Sequence, residues 1–212
     1  MLTLVSGALA GVVHVLAGPD HLAAVAPMAL ADGRRGWQSG FTWGLGHTSG
    51  VVLVAALAVL LREALPPVDV IASWSERLVG GALIAVGLWA LRRALAIGTA
   101  PHGHDGLTQH THVHVRRPSV ARFGHAHASF LMGILHGVAG SSHFLGVLPA
   151  LALPSRGAAL AYVAAFGFGS IAAMSAFGAV MGAAPARPRV HRAFMLTASG
   201  LAMLVGSAWI VL

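Results

Sequence analysis

LTLVSGALAGVVHVLAGPDHLAAVAPMALA, residues 2–31, is long enough to cross a bilayer, yet His14, Asp20 and His21 interrupt its apolar run. An ionised side chain at mid-membrane depth costs roughly 2.5–3.5 kcal/mol on insertion scales, so such residues persist where they have a task. The chain repeats the pattern in GILHGVAGSSHFLGVLPALAL, residues 133–153, where His136 and His143 stand at the same separation as His14 and His21. Imidazoles and a carboxylate converging in a dry interior point to a path for a divalent metal ion.

Composition sets the class. Of 212 residues, 57% are hydrophobic and only 9% charged, and the mean hydropathy is +0.79. Long apolar runs alternating with short Arg-bearing loops indicate an all-α, polytopic membrane protein. The start MLTLVSGALAG carries no positive segment ahead of its apolar run, so we expect a retained helix and not a cleaved signal peptide. Every basic residue is Arg, and the arginines gather at segment ends. The net charge of +7 therefore reads as membrane topology, with no nucleic-acid partner. Cysteine is absent, which removes disulfides and thiolate ligands and leaves nitrogen and oxygen for any metal site.

A spanning helix needs about 20 residues. Six candidates follow, near 2–30, 37–61, 72–97, 125–153, 157–183 and 191–212, joined by ADGRRG, REALPPVD, the long polar segment from Gly98 to Gly124, ALPSRG and AAPARPR. Loops one, three and five hold ten arginines and the opposite side three, namely Arg62, Arg77 and Arg156. The positive-inside rule then places both termini outside the inner (plasma) membrane and the long loop in the cytoplasm.

The halves also repeat. His14-Val-Leu-Ala-Gly-Pro-Asp-His21 aligns with His136-Gly-Val-Ala-Gly-Ser-Ser-His143, and Pro27 falls on Pro149. After a one-residue slip GLGHTSG (44–50) lies over AFGFGSI (165–171), setting His47 against Phe168. With three spans per half the second copy is inverted, a plan of transporters whose site lies near the midplane between broken helices. The expected organisation is a three-helix repeat over 1–97, a His-rich cytoplasmic loop over 98–124 and a second three-helix repeat over 125–212.

The ligand set follows from spacing. His21 lies seven positions after His14, almost two turns, so on an unbroken helix the rings would lie about 10.5 Å apart along the axis. One ion cannot bridge that gap with bonds of roughly 2.0–2.1 Å. Gly18-Pro19 supplies the remedy: proline lacks an N–H and clashes with the preceding turn, so a break there draws Asp20 and His21 toward His14. A plain proline kink with hydrogen-bonded histidines is the structural alternative; Asp20, the one acidic residue deep in any span, favours a metal. Ser142 stands in the place of Asp20 in the second copy, so His136 and His143 are weaker candidates taken alone. His47, in WGLGHTSG, is a further ligand or a partner that fixes an imidazole tautomer. In the loop, His102, His104, His110, His112 and His114, with His125, His127 and Asp105 nearby, could chelate Ni2+, Cu2+ or Zn2+ loosely, or could form a solvated linker that happens to be rich in histidine.

HVLAGPDHLAAVAP, WGLGHTSG and LHGVAGSSHFLGVLPALALP together resemble the nickel/cobalt transporter superfamily, most nearly its urease-accessory UreH-type membrane proteins. The resemblance covers most of the chain. It implies Ni2+ or Co2+ as the transported ion with no prosthetic group, and a nickel-enzyme maturation system as partner. His14, Asp20 and His21 correspond to the first signature of that superfamily and His47 to the Gly-His of the second. Its permeases carry His-x4-Asp-His, whereas five residues separate His14 from Asp20 here, which changes the ligand geometry.

Two other functions compete with a non-enzymatic transporter. An intramembrane hydrolase would use Ser141 or Ser142 with His143, or Ser49 with His47; adjacent Ser and His on one helix point in different directions, and no HExxH is present. A bis-histidine haem protein would need rings facing each other across a macrocycle.

Overall fold

A computed structural model describes residues 1–60, 68–104, 108–115, 122–139, 149–150, 152–183 and 188–211. Its elements are α1 (Leu2–Ala17), α2 (Pro19–Asp32), a 3-10 turn (Gly33–Arg35), α3 (Gly36–Leu60), α4 (Val68–Leu95), the strands β1 (Ile97–His104) and β2 (Thr108–Val115), then α5 (Arg122–Val138), α6 (Arg156–Gly182) and α7 (Pro188–Val211). Apart from the hairpin, the elements among the described residues are helical.

The first apolar run is two helices. Gly18 is extended at φ −84°, ψ 106°, the region to which a residue before proline is driven. Pro19 then occupies the first position of α2, where a missing N–H costs nothing. The axis turns by 75° at this break. Beyond it α2 is buried almost all round, from Ala23 to Leu30, and packs on α3, α4, α6 and α7. A helix without a polar face belongs in the interior, and α2 is the central piece around which the others stand.

Three described helices are long and apolar enough to cross a bilayer, over 76–95, 156–183 and 189–211, and the bent α1–α2–α3 unit adds a fourth if it counts as one span. Their outward faces carry exposed Leu160, Val180, Leu204 and Leu9, whereas Asp20, His21, Ser39, His47, Ser129, His136, Ser170 and Ser199 are buried. Apolar side chains outside and polar ones inside are the distribution for a lipid solvent. The chain is a multi-pass membrane protein.

Small residues set the helix contacts, and the contacts come in reciprocal pairs. Gly133 of α5 lies against the Trp43 carbonyl and the His47 amide of α3, and Gly11 of α1 lies against the Phe166 carbonyl and the Ser170 amide of α6. Gly46 meets the Phe130 carbonyl as Gly169 meets the Ala8 carbonyl; Gly44 meets Ile171 as Gly167 meets Thr48. In the third pair, α4 and α7, Gly80 and Gly206 face each other. The register is thus Gly11 with Gly133 and Trp43 with Phe166, which sets His47 against Ser170. The alignment of His47 with Phe168 fails in space: Phe168 is 72% exposed, while Ser170 is fully buried. Residue identity over the short GLGHTSG window favoured a slip of one in the opposite direction, because Gly and Ser recur there at several registers.

β1 and β2 form an antiparallel hairpin with His102 opposite His110. The fourth expected span, 125–153, is described as α5 up to Val138; residues 140–148, which include His143, lie outside the described residues.

Candidate metal centre

The break at Gly18 brings the last turn of α1 onto the first turn of α2. The ring centroids of His14 and His21 are 4.9 Å apart, less than half the axial distance an unbroken helix would impose. His47 comes from the middle of α3, 5.5 Å from His14 and 5.2 Å from His21. One ring nitrogen from each of His14, His21 and His47 falls within 4.8 Å of the others. Tetrahedral bonds of roughly 2.0–2.1 Å set ligand atoms about 3.3 Å apart. Closing on an ion therefore needs side-chain movement of at most about 1.5 Å per pair, within the reach of χ rotations.

Asp20 sits in the first turn of α2, where the unsatisfied N–H groups of the helix N-terminus favour a carboxylate. One of its oxygens lies 3.4 Å from His21 Nδ1 and the other 4.0 Å from His136 Nε2. His136 is held from behind: its Nδ1 lies 2.9 Å from the Met132 carbonyl one turn earlier. A carbonyl only accepts, so Nδ1 carries the proton and Nε2 is left facing Asp20. Metal-binding imidazoles are commonly oriented in this way, by donating their other N–H to a backbone carbonyl. His136 Nε2 has no hydrogen-bond partner among the described residues. The seam between α3 and α5 makes this approach possible, because Gly46, Gly50, Gly133 and Gly137 all face backbone of the opposite helix.

Trp43 is the residue that sequence reasoning passed over. Fully buried, it stacks on His47 with centroids 4.9 Å apart and 15° between planes. Its edge contacts are His21 at 5.2 Å and His136 at 5.5 Å. The signal was available in the spacing, one helical turn before His47 on the same face. Phe166, in the reciprocal position, lies 5.4 Å from His14. Each half therefore sets one aromatic ring against the first histidine of the other.

Several polar residues named beside the site are occupied elsewhere. Thr48 Oγ1 reaches the Gly167 carbonyl at 3.5 Å, and the exposed Ser49 donates to the Leu45 carbonyl at 2.8 Å. Ser49 thus turns to its own helix backbone, away from a nucleophile's position beside His47. Ser170 bonds to the Gly11 and Phe166 carbonyls at 3.3 and 3.0 Å. Three rings converging from three helices on one point are the arrangement of an ion site; haem needs two on opposite faces of a flat slot. Ser141, Ser142 and His143 lie outside the described residues, and the loop histidines are placed by strand register alone.

Comparison with known proteins finds three informative relatives. The chain is 35% identical over 183 residues to the chloroplast protein FOR GROWTH AND FERTILITY 1 of Arabidopsis thaliana, covering 84% of this chain and 48% of that protein. It is 32% identical over 219 residues to FOR GROWTH AND FERTILITY 2 of the same plant, covering 97% and 55%. It is 28% identical over 203 residues to the urease accessory protein UreH of Bacillus sp. (strain TB-90), covering 91% and 83%. The chain thus spans about half the length of the two plant relatives. No protein-family model and no solved structure matches the chain.

Proposed function

The chain is a homologue of the urease accessory protein UreH and of the chloroplast FOR GROWTH AND FERTILITY proteins, and from that premise we propose that it transports a divalent transition-metal ion, Ni2+ or Co2+, across a membrane. The observation that carries this reading is the convergence of His14, His21 and His47 within 4.8 Å, beside a buried carboxylate. His14, Asp20, His21 and His47 form the main ligand shell. His136 and His143 complete it or form the next station. One carboxylate and several neutral imidazoles around a divalent ion leave about one net positive charge, cheaper to hold in low dielectric than the bare ion. Nitrogen-rich sites suit nickel and cobalt better than magnesium or calcium, which favour oxygen.

Transport needs the site to open to each side in turn. We read the architecture as six spans in two inverted three-helix repeats, 1–97 and 125–212. The reciprocal contacts of α1 with α6, α3 with α5 and α4 with α7 support this, because a two-fold rotation exchanging the halves would generate such pairs. Rocking one half against the other about the α3–α6 crossing would expose the centre alternately. The ten-to-three arginine asymmetry supports both termini outside the plasma membrane and the His-rich loop in the cytoplasm. UreH is accessory to urease, which makes a nickel-enzyme maturation system the natural partner for the transported ion. The proposed role is not enzymatic.

Flux into proteoliposomes, measured across Ni2+, Co2+, Zn2+, Mn2+ and Mg2+, tests the reading. Ni2+ or Co2+ should enter and Mg2+ should not, and Asp20→Asn should stop the flux while expression holds. Normal flux through Asp20→Asn, or no ion moved at all, would overturn it.

A further inference from the structure

Two buried polar atoms beside the centre have no hydrogen-bond partner among the described residues, and they are of opposite kind. The first is Nε1 of Trp43, an indole N–H that can only donate. The second is Nε2 of His136. Its Nδ1 already gives its proton to the Met132 carbonyl, so in the neutral ring Nε2 can only accept. The two rings lie 5.5 Å apart between centroids. A third group stands with them: an Asp20 oxygen, also an acceptor, 4.0 Å from His136 Nε2. Two acceptors cannot satisfy one another, and an unmade hydrogen bond on a buried group costs about 1–3 kcal/mol. Packing alone does not call for an indole at position 43. Phe166, its counterpart in the second half, sets an aromatic ring against His14 at 5.4 Å without any N–H. What Trp43 adds to that arrangement is a donor.

We propose that one water molecule joins Trp43, His136 and Asp20 and stays on the metal ion when it binds. A water has two hydrogens and two lone pairs. One hydrogen goes to the Asp20 oxygen and the other to His136 Nε2; a gap of 4.0 Å suits a bridge better than a direct bond. One lone pair accepts the Trp43 N–H, and the other is left for the ion. Three protein partners are typical of a buried water. The second Asp20 oxygen, beside His21 Nδ1 at 3.4 Å, remains for the ion. A water on a divalent cation is more acidic than a free one, so the ion strengthens both bonds that the water donates. This inference rests on the transport reading and deepens it. The cargo is a divalent ion that sheds most of its water and keeps one molecule, and His136 acts through that water. His14, His21, His47, Asp20 and the water then make five donors. Zinc in closed sites almost always stops at four, in a tetrahedron, whereas Ni2+ and Co2+ readily take more. Trp43 is thereby a specificity-determining residue that touches no ion: it holds the oxygen ligand that favours nickel and cobalt over zinc.

The test uses the full-length protein in detergent and reads the equivalent of metal that Asp20→Asn abolishes. Two replacements remove the N–H at position 43. One is Trp43→Phe. The other is benzothienylalanine incorporated in place of Trp43, which keeps the bicyclic shape and puts sulfur where the N–H was. Calorimetry should show Ni2+ affinity down about 10–100-fold in both, the range for loss of a partner that supports a metal ligand, with Zn2+ affinity held. The visible spectrum of bound Co2+ reports the ligand count independently. Its bands should be weak in the wild type, where the ion has more than four ligands, and intense in both variants as it falls to four. His136→Leu removes an acceptor of the same water, so its effect and that of Trp43→Phe should be far from additive. If Trp43 only packs, the benzothienyl protein will match the wild type in Ni2+ affinity, and that result would overturn the proposal. So would intense four-coordinate Co2+ bands in the wild type, or additive losses from Trp43→Phe and His136→Leu. Should Asp20→Asn bind as much metal as the wild type, the intramembrane centre fails and the water with it. An Asp20-dependent site that ignores the loss of the N–H removes the water alone.

Discussion

Trp43 lies flat on His47, one turn further along α3, with 15° between the two ring planes. The same indole presents its edge to His21 and His136, so a single side chain braces three of the imidazoles around the centre.

An optical prediction follows from that contact. The chain has five tryptophans, and Trp43 is the one packed on the candidate ligands. Ni2+ or Co2+ bound among His14, His21 and His47 would lie close enough to quench its emission. Titration with Ni2+ should quench part of the protein fluorescence, and Trp43→Phe should abolish that part while keeping most of the stacking area. Trp43→Ala should lower the thermal midpoint as well, because emptying a buried aromatic site costs roughly 3–5 kcal/mol. Equal quenching in wild type and Trp43→Phe would place the ion elsewhere.

Gly18 offers a sharper test of the centre. Its φ and ψ are ordinary for any residue, so alanine is acceptable to the backbone. A Cβ there would run into the imidazole of His21, with Asp20 Oδ1 at 3.0 Å. The ring can give way, but only by leaving its place beside His14. Gly18→Ala should therefore keep the fold and its thermal midpoint while weakening Ni2+ binding by about 10–100-fold, the range seen when support of a ligand is lost. Calorimetry on the purified variant measures both. Undiminished affinity would mean that His21 is not a ligand.

How much of this was legible beforehand depends on whether the physics is local. The break at Gly18-Pro19 was legible because proline acts on its own turn, and with it the approach of His21 to His14. His47 was legible because an imidazole in an apolar run is costly. Trp43 was not, since an aromatic residue in a membrane helix reads as packing until its neighbours are known. The pairing of His47 with Ser170 and not Phe168 was hidden as well; it is set by which glycine meets which carbonyl across the bundle, a long-range fact. The pairing of His102 with His110 was hidden for a third reason: the relative register of two strands is decided at the turn.

The glycine seam predicts opposite outcomes for one substitution at two sites. At Gly133 a Cβ would meet the Trp43 carbonyl, with the His47 amide at 2.8 Å, whereas at Gly200 nothing lies within 4 Å. Gly133→Ala should wedge α5 from α3, destabilising the protein by about 1–3 kcal/mol and drawing His136 away from Asp20. Gly200→Ala should be neutral or stabilising by up to about 1 kcal/mol, since alanine loses less backbone freedom in a helix. Thermal unfolding in detergent separates the two. Equal effects would mean that the α3–α5 approach is not limited by backbone contact.

The crossing of α3 and α6 can be locked, because the chain contains no cysteine of its own. A Cβ at Gly167 lies 3.6 Å from Thr48 Cβ, and a Cβ at Gly44 lies 3.4 Å from Ile171 Cβ, at or near the roughly 3.5–4.5 Å of a disulfide. The two pairs are reciprocal, one on each side of the crossing. Thr48→Cys with Gly167→Cys, and Gly44→Cys with Ile171→Cys, should both oxidise readily, read as loss of thiol labelling. The off-register control Thr48→Cys with Phe168→Cys should not, since Phe168 faces outward. If the halves rock about this crossing to move the ion, either bond should arrest flux in proteoliposomes, and a reductant should restore it. Full cross-linking with undiminished flux would show that α3 and α6 travel as one body, and the moving boundary would have to be sought between other helices.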